Sequence, residues 1–338
     1  MKPWLLFPPK FAHDIAPLAL RLGSAFQTED IPIWQPFKWR GLSFPNRLGI
    51  AGGVDKDAAL IEEWWNYGAG FVEVGTITPL SQVPNPGRII DRDLEARALW
   101  NRMGFPGSGV DVAKENLRDL PLRHRTPIFA NIGKNRDTAN ADAARDYAIC
   151  MRKLSGLCDA FVVNISSPNT TGLRELLQPQ VFQKFLGQVM AARNKIEASS
   201  TPVLLKLSPD ASDDDLKRVI GQASDLGIDG FIATNTTLAR EYGSPFPAEG
   251  GVSGAPLAAR SKEVLSLIRE NLGTTSDRLL ISAGGVLSSA DVKERLELGA
   301  DLVQVYTALI FEGPGFFRAV ARDLRSTASP ARATLQGC

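Results

Sequence analysis

The segment Phe161-Val162-Val163-Asn164-Ile165-Ser166-Ser167-Pro168-Asn169-Thr170-Thr171-Gly172 passes from a β-branched apolar run to amides and hydroxyls within a few residues. Asn164 and Asn169 offer donors and acceptors together, and the Ser167 hydroxyl can accept or give a proton. No Gly-x-Ser-x-Gly elbow is present, and the two histidines, His13 and His124, lie in the N-terminal segment and a helix-to-strand connection. A Ser-His-Asp hydrolase is therefore not supported. A serine without histidine can still take a proton in a water-excluded pocket if a hydride departs in concert. The same residues would equally form an ordinary Ser-Pro turn, and the pattern alone leaves both readings open.

Other residues suited to such a site stand at comparable points. Gly52-Gly53-Val54-Asp55-Lys56-Asp57 follows one apolar run, Thr76 another, and Gly133-Lys134-Asn135 a third that contains Asn131. Lys206 lies within a fifth run, while Thr234-Asn235-Thr236, Gly284-Gly285 and Tyr306-Thr307 close three more. A lone lysine is usually a solvated surface group and a glycine pair usually a turn. Agreement across all the run ends does not follow from packing alone. Gly284-Gly285 and Tyr306-Thr307, with Gly254 opening a later helix, can present backbone N–H groups to an anion. Without a Walker lysine motif, that anion suits a phosphorylated cofactor or a sugar phosphate rather than a nucleoside triphosphate. Lys56 and Lys206 supply positive charge. Lysines in such a setting form Schiff bases or stabilise developing negative charge, and the flanking amides favour the second role, which suits a flavin. The amides of Asn101, Asn164, Asn169 and Asn235 suit a planar, amide-rich substrate.

These residues need a scaffold that brings the ends of distant segments together. Short apolar runs occur at Leu48–Ala51, Phe71–Gly75, Ile128–Ile132, Ala160–Ile165, Val203–Leu207, Gly230–Ala233, Leu279–Ser282 and Leu302–Val305. Helical patterns lie between most of them, at Ala58–Tyr67, Asp213–Leu226, Arg260–Leu272 and Ser289–Leu298. Eight strand–helix units over about 250 residues predict an α/β fold, a (β/α)₈ TIM barrel, whose chemistry sits at the carboxyl ends of its strands. A doubly wound sheet would more usually show Gly-x-Gly-x-x-Gly after an early strand, and none is found. The connections from Ile77 to Pro127 and from Thr236 to Arg278 are too long to be simple loops, which points to function.

Bulk properties narrow the class further. The chain has 338 residues, is 44% hydrophobic and carries a formal net charge of +1, which gives no electrostatic case for nucleic acid. Cys150, Cys158 and Cys338 are scattered, so neither a disulfide framework nor a zinc site is suggested, and a reducing cytosol fits best. No run approaches the roughly 20 apolar residues of a membrane span. The N-terminus nonetheless holds Trp4, Leu5, Leu6 and Phe7, then Phe11, Ala12, Ile15, Leu18, Ala19 and Leu22 at helical spacing, with Pro17 expected to kink or restart the helix. This is either a helical cap on the main domain or an amphipathic patch that touches a membrane or admits a lipophilic ligand. The expected division is a small helical extension over residues 1–36 and a catalytic barrel over residues 37–338.

Several segments carry a resemblance: Leu48-Gly-Ile-Ala-Gly-Gly-Val-Asp-Lys-Asp57, Glu73-Val-Gly-Thr-Ile-Thr-Pro79, Asn101-Arg-Met-Gly-Phe105, Asn131-Ile-Gly-Lys-Asn135, Asn164-Ile-Ser-Ser-Pro-Asn-Thr170, Lys206-Leu-Ser-Pro-Asp210, Ile232-Ala-Thr-Asn-Thr-Thr237, Gly250-Gly-Val-Ser-Gly254 and Val303-Gln-Val-Tyr-Thr307. By these the chain resembles the dihydroorotate dehydrogenase family, specifically its quinone-dependent class 2. The resemblance implies an FMN-containing barrel that oxidises (S)-dihydroorotate to orotate in pyrimidine biosynthesis. Ser167 matches the family's base, where the cytosolic class 1 enzymes carry cysteine. Lys56, Asn101, Arg102, Met103, Gly104, Phe105, Asn164, Asn169, Asn235 and Thr236 match substrate contacts. Gly52, Gly53, Val54, Asp55, Lys56, Thr76, Asn131, Asn164, Lys206, Thr234, Gly254, Gly284, Gly285, Tyr306 and Thr307 match FMN contacts, with no metal. Ubiquinone or menaquinone would reoxidise FMN through a tunnel under the N-terminal helices, with the protein peripheral on the cytoplasmic face of the membrane. The chain departs from the family where the segment before His13 is shorter, and where Ala51-Gly52-Gly53 replaces the commoner Ala-Ala-Gly. A barrel using fumarate or NAD is the nearest alternative, and a non-catalytic ligand-binding barrel, which would be colourless, is a more distant one.

Overall fold

A 3₁₀ turn at Pro3–Leu6 and helix α1 (Pro9–Ser24) precede a small antiparallel hairpin, β1 (Phe37–Trp39) and β2 (Leu42–Phe44), in the computed structural model. The structure describes residues 2–27, 29–120, 126–240 and 243–327; His124 and Cys338 lie outside them. After the hairpin come β3 (Leu48–Asp55), α2 (Ile61–Tyr67), β4 (Val72–Ile77), β5 (Ile90–Asp93), β6 (Ala98–Asn101) and α3 (Val110–Arg118). Then follow β7 (Ile128–Ile132), α4 (Ala143–Leu154), β8 (Ala160–Asn164), α5 (Pro179–Arg193), β9 (Val203–Lys206), α6 (Asp213–Asp225) and β10 (Gly230–Ala233). The chain continues through β11 (Gly251–Gly254), α7 (Ala258–Leu272), β12 (Leu279–Ala283), α8 (Ser289–Glu297), β13 (Leu302–Val305), α9 (Thr307–Glu312) and α10 (Phe316–Thr327).

Eight of the strands, β3, β4, β7, β8, β9, β10, β12 and β13, close into a parallel barrel, with β13 paired back onto β3. All eight predicted runs are these strands. Their continuous burial explains the unbroken apolar pattern, since each is covered by helices outside and side chains within. The hairpin closes the amino-terminal end. Trp39 and Phe44 pack with Phe71, Phe129, Val162, Leu204, Ile232 and Ile281 in an interior cluster, so the barrel is a filled core below the site. Caps set helix starts: Ser212 Oγ accepts from Asp215 N at 3.2 Å and Ser288 Oγ from Asp291 N at 3.2 Å.

Three expectations change. Strand β3 runs on to Asp55 rather than ending at Ala51, which puts Gly52 and Gly53 inside it. Helix α2 begins at Ile61 rather than Ala58, because Asp55 accepts from Ala59 N and Leu60 N at 2.9 Å each and Ala58 takes φ 59°. Helix α1 continues through Pro17 without a restart. Its predicted apolar stripe also faces outward: Phe11, Leu18 and Leu22 are exposed, while His13, Ala16, Leu20 and Ser24 turn inward.

The two long connections are joined to each other. The first supplies β5 and β6, the second β11, and together they form an antiparallel sheet in the order β11-β6-β5. Gly251 pairs with Asn101 and Gly254 with Ala98, so one ladder places Asn101 and Gly254 over the barrel mouth.

Candidate active site

The carboxyl ends of the barrel strands enclose a cleft of about 150 Å³. Its wall includes Gly52, Gly53, Lys56, Thr76, Asn164, Ser167, Lys206, Thr234, Gly284, Gly285, Tyr306 and Thr307 from the strand ends. Asn101, Met103, Gly104, Phe105, Asn169, Asn235 and Thr236 come from the loops above. Most residues singled out in the sequence therefore share one cavity.

On the β8 side an amide web defines the polar wall. Asn164 Nδ2 donates to Thr76 Oγ1 (3.0 Å) and Asn131 Oδ1 (3.2 Å), while its Oδ1 accepts from Ser166 Oγ (3.3 Å) and Asn235 Nδ2 (3.2 Å). Tyr147 OH donates to the Asn164 carbonyl at 2.9 Å and fixes the strand end from outside. A second set lies above: Asn169 Nδ2 donates to Asn101 Oδ1 at 2.8 Å, and Asn169 N donates to Ser167 Oγ at 3.2 Å. Among the described residues Asn169 Oδ1 is buried without a partner, an acceptor left for a ligand donor. Ser167 is 5% exposed. Beyond it, Leu173 is fully buried and Arg174 Nε donates to Ser166 O at 3.1 Å, so the segment after Asn169 is anchored at that end.

Below the cleft lies a charged cluster that sequence reasoning missed. Glu73, fully buried in β4, accepts from Asn131 Nδ2 (2.6 Å), Lys206 Nζ (3.0 Å) and Gln304 Nε2 (2.6 Å). One carboxylate thus holds three groups, of which Lys206 and Gln304 line the cleft. Among the described residues Gln304 Oε1 has no partner. An ideal Cβ at Gly52 would stand 2.3 Å from Glu73 Oε1, so Gly52 leaves the space that this carboxylate occupies. The sequence signal was an acid in the middle of an apolar strand, a residue type almost never fully buried unless paired.

Lys56 is different. It lines the cleft without an ion pair among the described residues, and burial lowers its pKa despite Asp55 and Asp57 nearby. It is a cation aimed at a cavity, ready for an anionic ligand.

Opposite the amides, Gly284, Gly285, Tyr306 and Thr307 meet the start of α7. A Cβ on Gly285 would lie 2.3 Å from Ala258 Cα, and Gly254 holds φ 95° with no room for a side chain beside Arg97 O. Only glycine permits this approach, which leaves backbone N–H groups around a small concavity suited to a phosphate. Ser253 Oγ and Thr307 Oγ1 lie 2.8 Å apart at its edge.

Five predicted residues do not line the cavity. Asn131 sits one layer below, bonded to Glu73 and Asn164. Gly254 supports the cradle from β11. Asp55 turns its carboxylate to the amides of Ala59 and Leu60, and burial raises its pKa to about 6. Arg102 donates to Pro86 O at 2.5 Å and lies on the outer surface of the loop. Val54 is half-buried at the end of β3.

The N-terminal segment leans on this wall. Trp4 Nε1 donates to Ile310 O at 2.7 Å, and Arg92 Nη2 donates to Leu5 O at 2.7 Å and to Phe7 O. Leu5 packs with Leu99 and Phe311 beside Tyr306, and Leu99 and Tyr306 also line the cleft. Burial, with the charge of Lys56 second, lowers the His13 pKa to about 4, so this inward-facing imidazole is neutral at physiological pH.

Comparison with known proteins gives one consistent result. The family profile described as dihydroorotate dehydrogenase matches residues 37–327. A protein of Kineococcus radiotolerans named dihydroorotate dehydrogenase (quinone) is 42% identical over 299 residues, covering 86% of this chain and 81% of the relative. One of the same name from Thermus thermophilus is 46% identical over 285 residues, 82% of this chain and 79% of the relative. The crystal structure of DHODH from Eimeria tenella in complex with ferulenol superposes with a TM-score of 0.82 at 31% identity, covering 94% of this chain and 91% of that one. The chain belongs to the dihydroorotate dehydrogenase family, among its quinone-linked members.

Proposed function

We propose that this protein oxidises (S)-dihydroorotate to orotate with a flavin, FMN, in the barrel mouth, and passes the electrons to a membrane quinone, in pyrimidine biosynthesis. One observation carries the reading: Ser167 and four amides face a cleft that also holds Lys56, Lys206 and a glycine-built anion cradle. Asn101, Asn164, Asn169 and Asn235 offer the alternating donors and acceptors of a planar ureide, and Lys56 offers charge to its carboxylate. Ser167 Oγ takes the C5 proton as hydride leaves C6. A bound flavin supplies the acceptor for that hydride. Lys206, held by Glu73 in the cleft wall, would stabilise negative charge on a bound flavin. The residues fit FMN: the cradle would hold its phosphate, and Gln304 Oε1 and Thr76, the latter tied through Asn164 to Asn131, would offer polar contacts in the cleft wall. The test is direct. The purified protein is expected to be yellow and to bleach anaerobically on adding dihydroorotate; a coloured protein that dihydroorotate does not bleach would overturn the substrate.

The quinone is assigned to the wall formed by Leu5, Leu99 and Tyr306, where the N-terminal segment meets the cleft. Residues 1–36 are read as the membrane and quinone segment, residues 37–338 as the catalytic domain, peripheral on the cytoplasmic face. No helix among the described residues is long and apolar enough to cross a membrane. What supports peripheral binding is the outer face of the extension, where Leu6, Phe7, Phe11, Leu18, Leu22 and Phe26 are all exposed. Leu18→Glu with Leu22→Glu is expected to weaken cosedimentation with anionic lipid vesicles by at least about tenfold, since each leucine contributes about 1.5 kcal/mol or more when buried. Flavin reduction by dihydroorotate should not change. Vesicle binding equal to that of the parent protein would remove α1 from the membrane contact.

A further inference from the structure

Arg295, on α8, is 1% exposed and takes no part in the chemistry above. Its Nη2 donates to Gly284 O at 2.8 Å, to Ser261 Oγ at 2.9 Å and to Ala258 O at 3.1 Å; Nη1 donates to Ser282 Oγ at 3.4 Å. Among the described residues no carboxylate forms an ion pair with it, and its Nε has no partner. A guanidinium removed from water is normally matched by an anion. Here its partners are all neutral, and they belong to the two segments, Gly284-Gly285 and the start of α7, that meet at the anion cradle.

The peptide geometry gives the direction of the effect. In a trans peptide the N–H points opposite to the carbonyl. With Gly284 O drawn to Arg295, the N–H of Gly285 is turned away from the guanidinium, and Gly285 lines the cleft. One side chain therefore sets the orientation of a cradle amide and places an unmatched positive charge behind it. The serines and carbonyls would hold a neutral donor equally well; the charge is the feature without a local purpose.

We propose that Arg295 is a positioning residue for the cofactor phosphate: it acts through the Gly284–Gly285 peptide and supplies the positive charge that makes the cradle select a phosphorylated flavin over an unphosphorylated one. This rests on the flavin reading given above. The test separates the two. Holoenzyme is diluted and the fluorescence of released flavin gives the affinity for FMN; the same protein exchanged with riboflavin, which lacks the phosphate, is the reference. Arg295→Met is expected to weaken FMN by about 10- to 100-fold, as for loss of a partly desolvated charge near a dianion. Riboflavin should weaken by less than about threefold, so the preference for FMN collapses. Arg295→Lys should retain most of the preference, because the charge stays while the fork is lost. Equal weakening of FMN and riboflavin in Arg295→Met would show a merely structural role and overturn the proposal. If Arg295→Met does not fold, Arg295→Gln keeps a donor to Gly284 O without charge and is expected to lose the same preference; an unchanged preference overturns the proposal. Failure of the unaltered protein to bind either flavin would overturn the flavin reading as well.

Discussion

Ser167→Ala is expected to slow anaerobic flavin reduction by dihydroorotate about 10²–10⁴-fold, the usual contribution of a positioned general base. Affinity for orotate should change by less than about threefold. The separation is expected because, among the described residues, Ser167 Oγ holds only the Asn169 amide at 3.2 Å, so alanine removes a proton acceptor without emptying the cleft wall. In the variant Asn164 keeps its bonds to Thr76 and Asn131, and Asn169 its bond to Asn101. Stopped-flow single turnovers measure the reduction step apart from quinone chemistry. Rates within about threefold of the parent enzyme would exclude Ser167 as the base, and a parallel rise in orotate dissociation would make it a binding residue.

The second large effect lies a layer deeper. Glu73→Gln is expected to cost about 3–5 kcal/mol, the range for breaking a buried ion pair and leaving one charge uncompensated. Glu73 Oε1 accepts from Asn131 and Lys206 and Oε2 from Gln304, whereas a carboxamide oxygen in the place of Oε1 leaves its NH₂ facing the Gln304 donor and Lys206 without a counter-charge. A lower urea midpoint reads the loss, and the protein should also lose flavin, because Lys206 and Gln304 line the cleft. Adding Lys206→Met should recover much of the stability and none of the flavin reduction. A single variant that unfolds at the parent's urea midpoint would remove Glu73 from this role.

The barrel was legible because a parallel strand buried on both faces writes itself as a largely apolar run, as Ala160–Asn164 and Leu279–Ala283 do. The residues past those runs could be gathered because a barrel brings all its carboxyl ends to one face. What stayed hidden depends on pairing across the chain. Strands β5, β6 and β11 are short, and the pairing of Asn101 with Gly251 joins segments that no local periodicity connects. Glu73 and Arg295 were hidden for a related reason. An acid in a strand and an arginine on a helix read as ordinary charges until the neighbours that bury them are known. The outward turn of Phe11, Leu18 and Leu22 was equally out of reach, since a stripe fixes a face without saying what it faces.

The three-stranded sheet over the barrel mouth also bears on how such enzymes can be altered. Asn101, in the cleft wall, and Gly254, beside Thr307, are at opposite ends of one hydrogen-bonded ladder. An insertion or deletion within the paired residues of either excursion would shift its register against the other. A one-residue slip would also turn each side chain to the opposite face. In grafting or directed evolution these two loops form a single inheritable cassette, and substrate choice and cofactor retention will change together when it is divided.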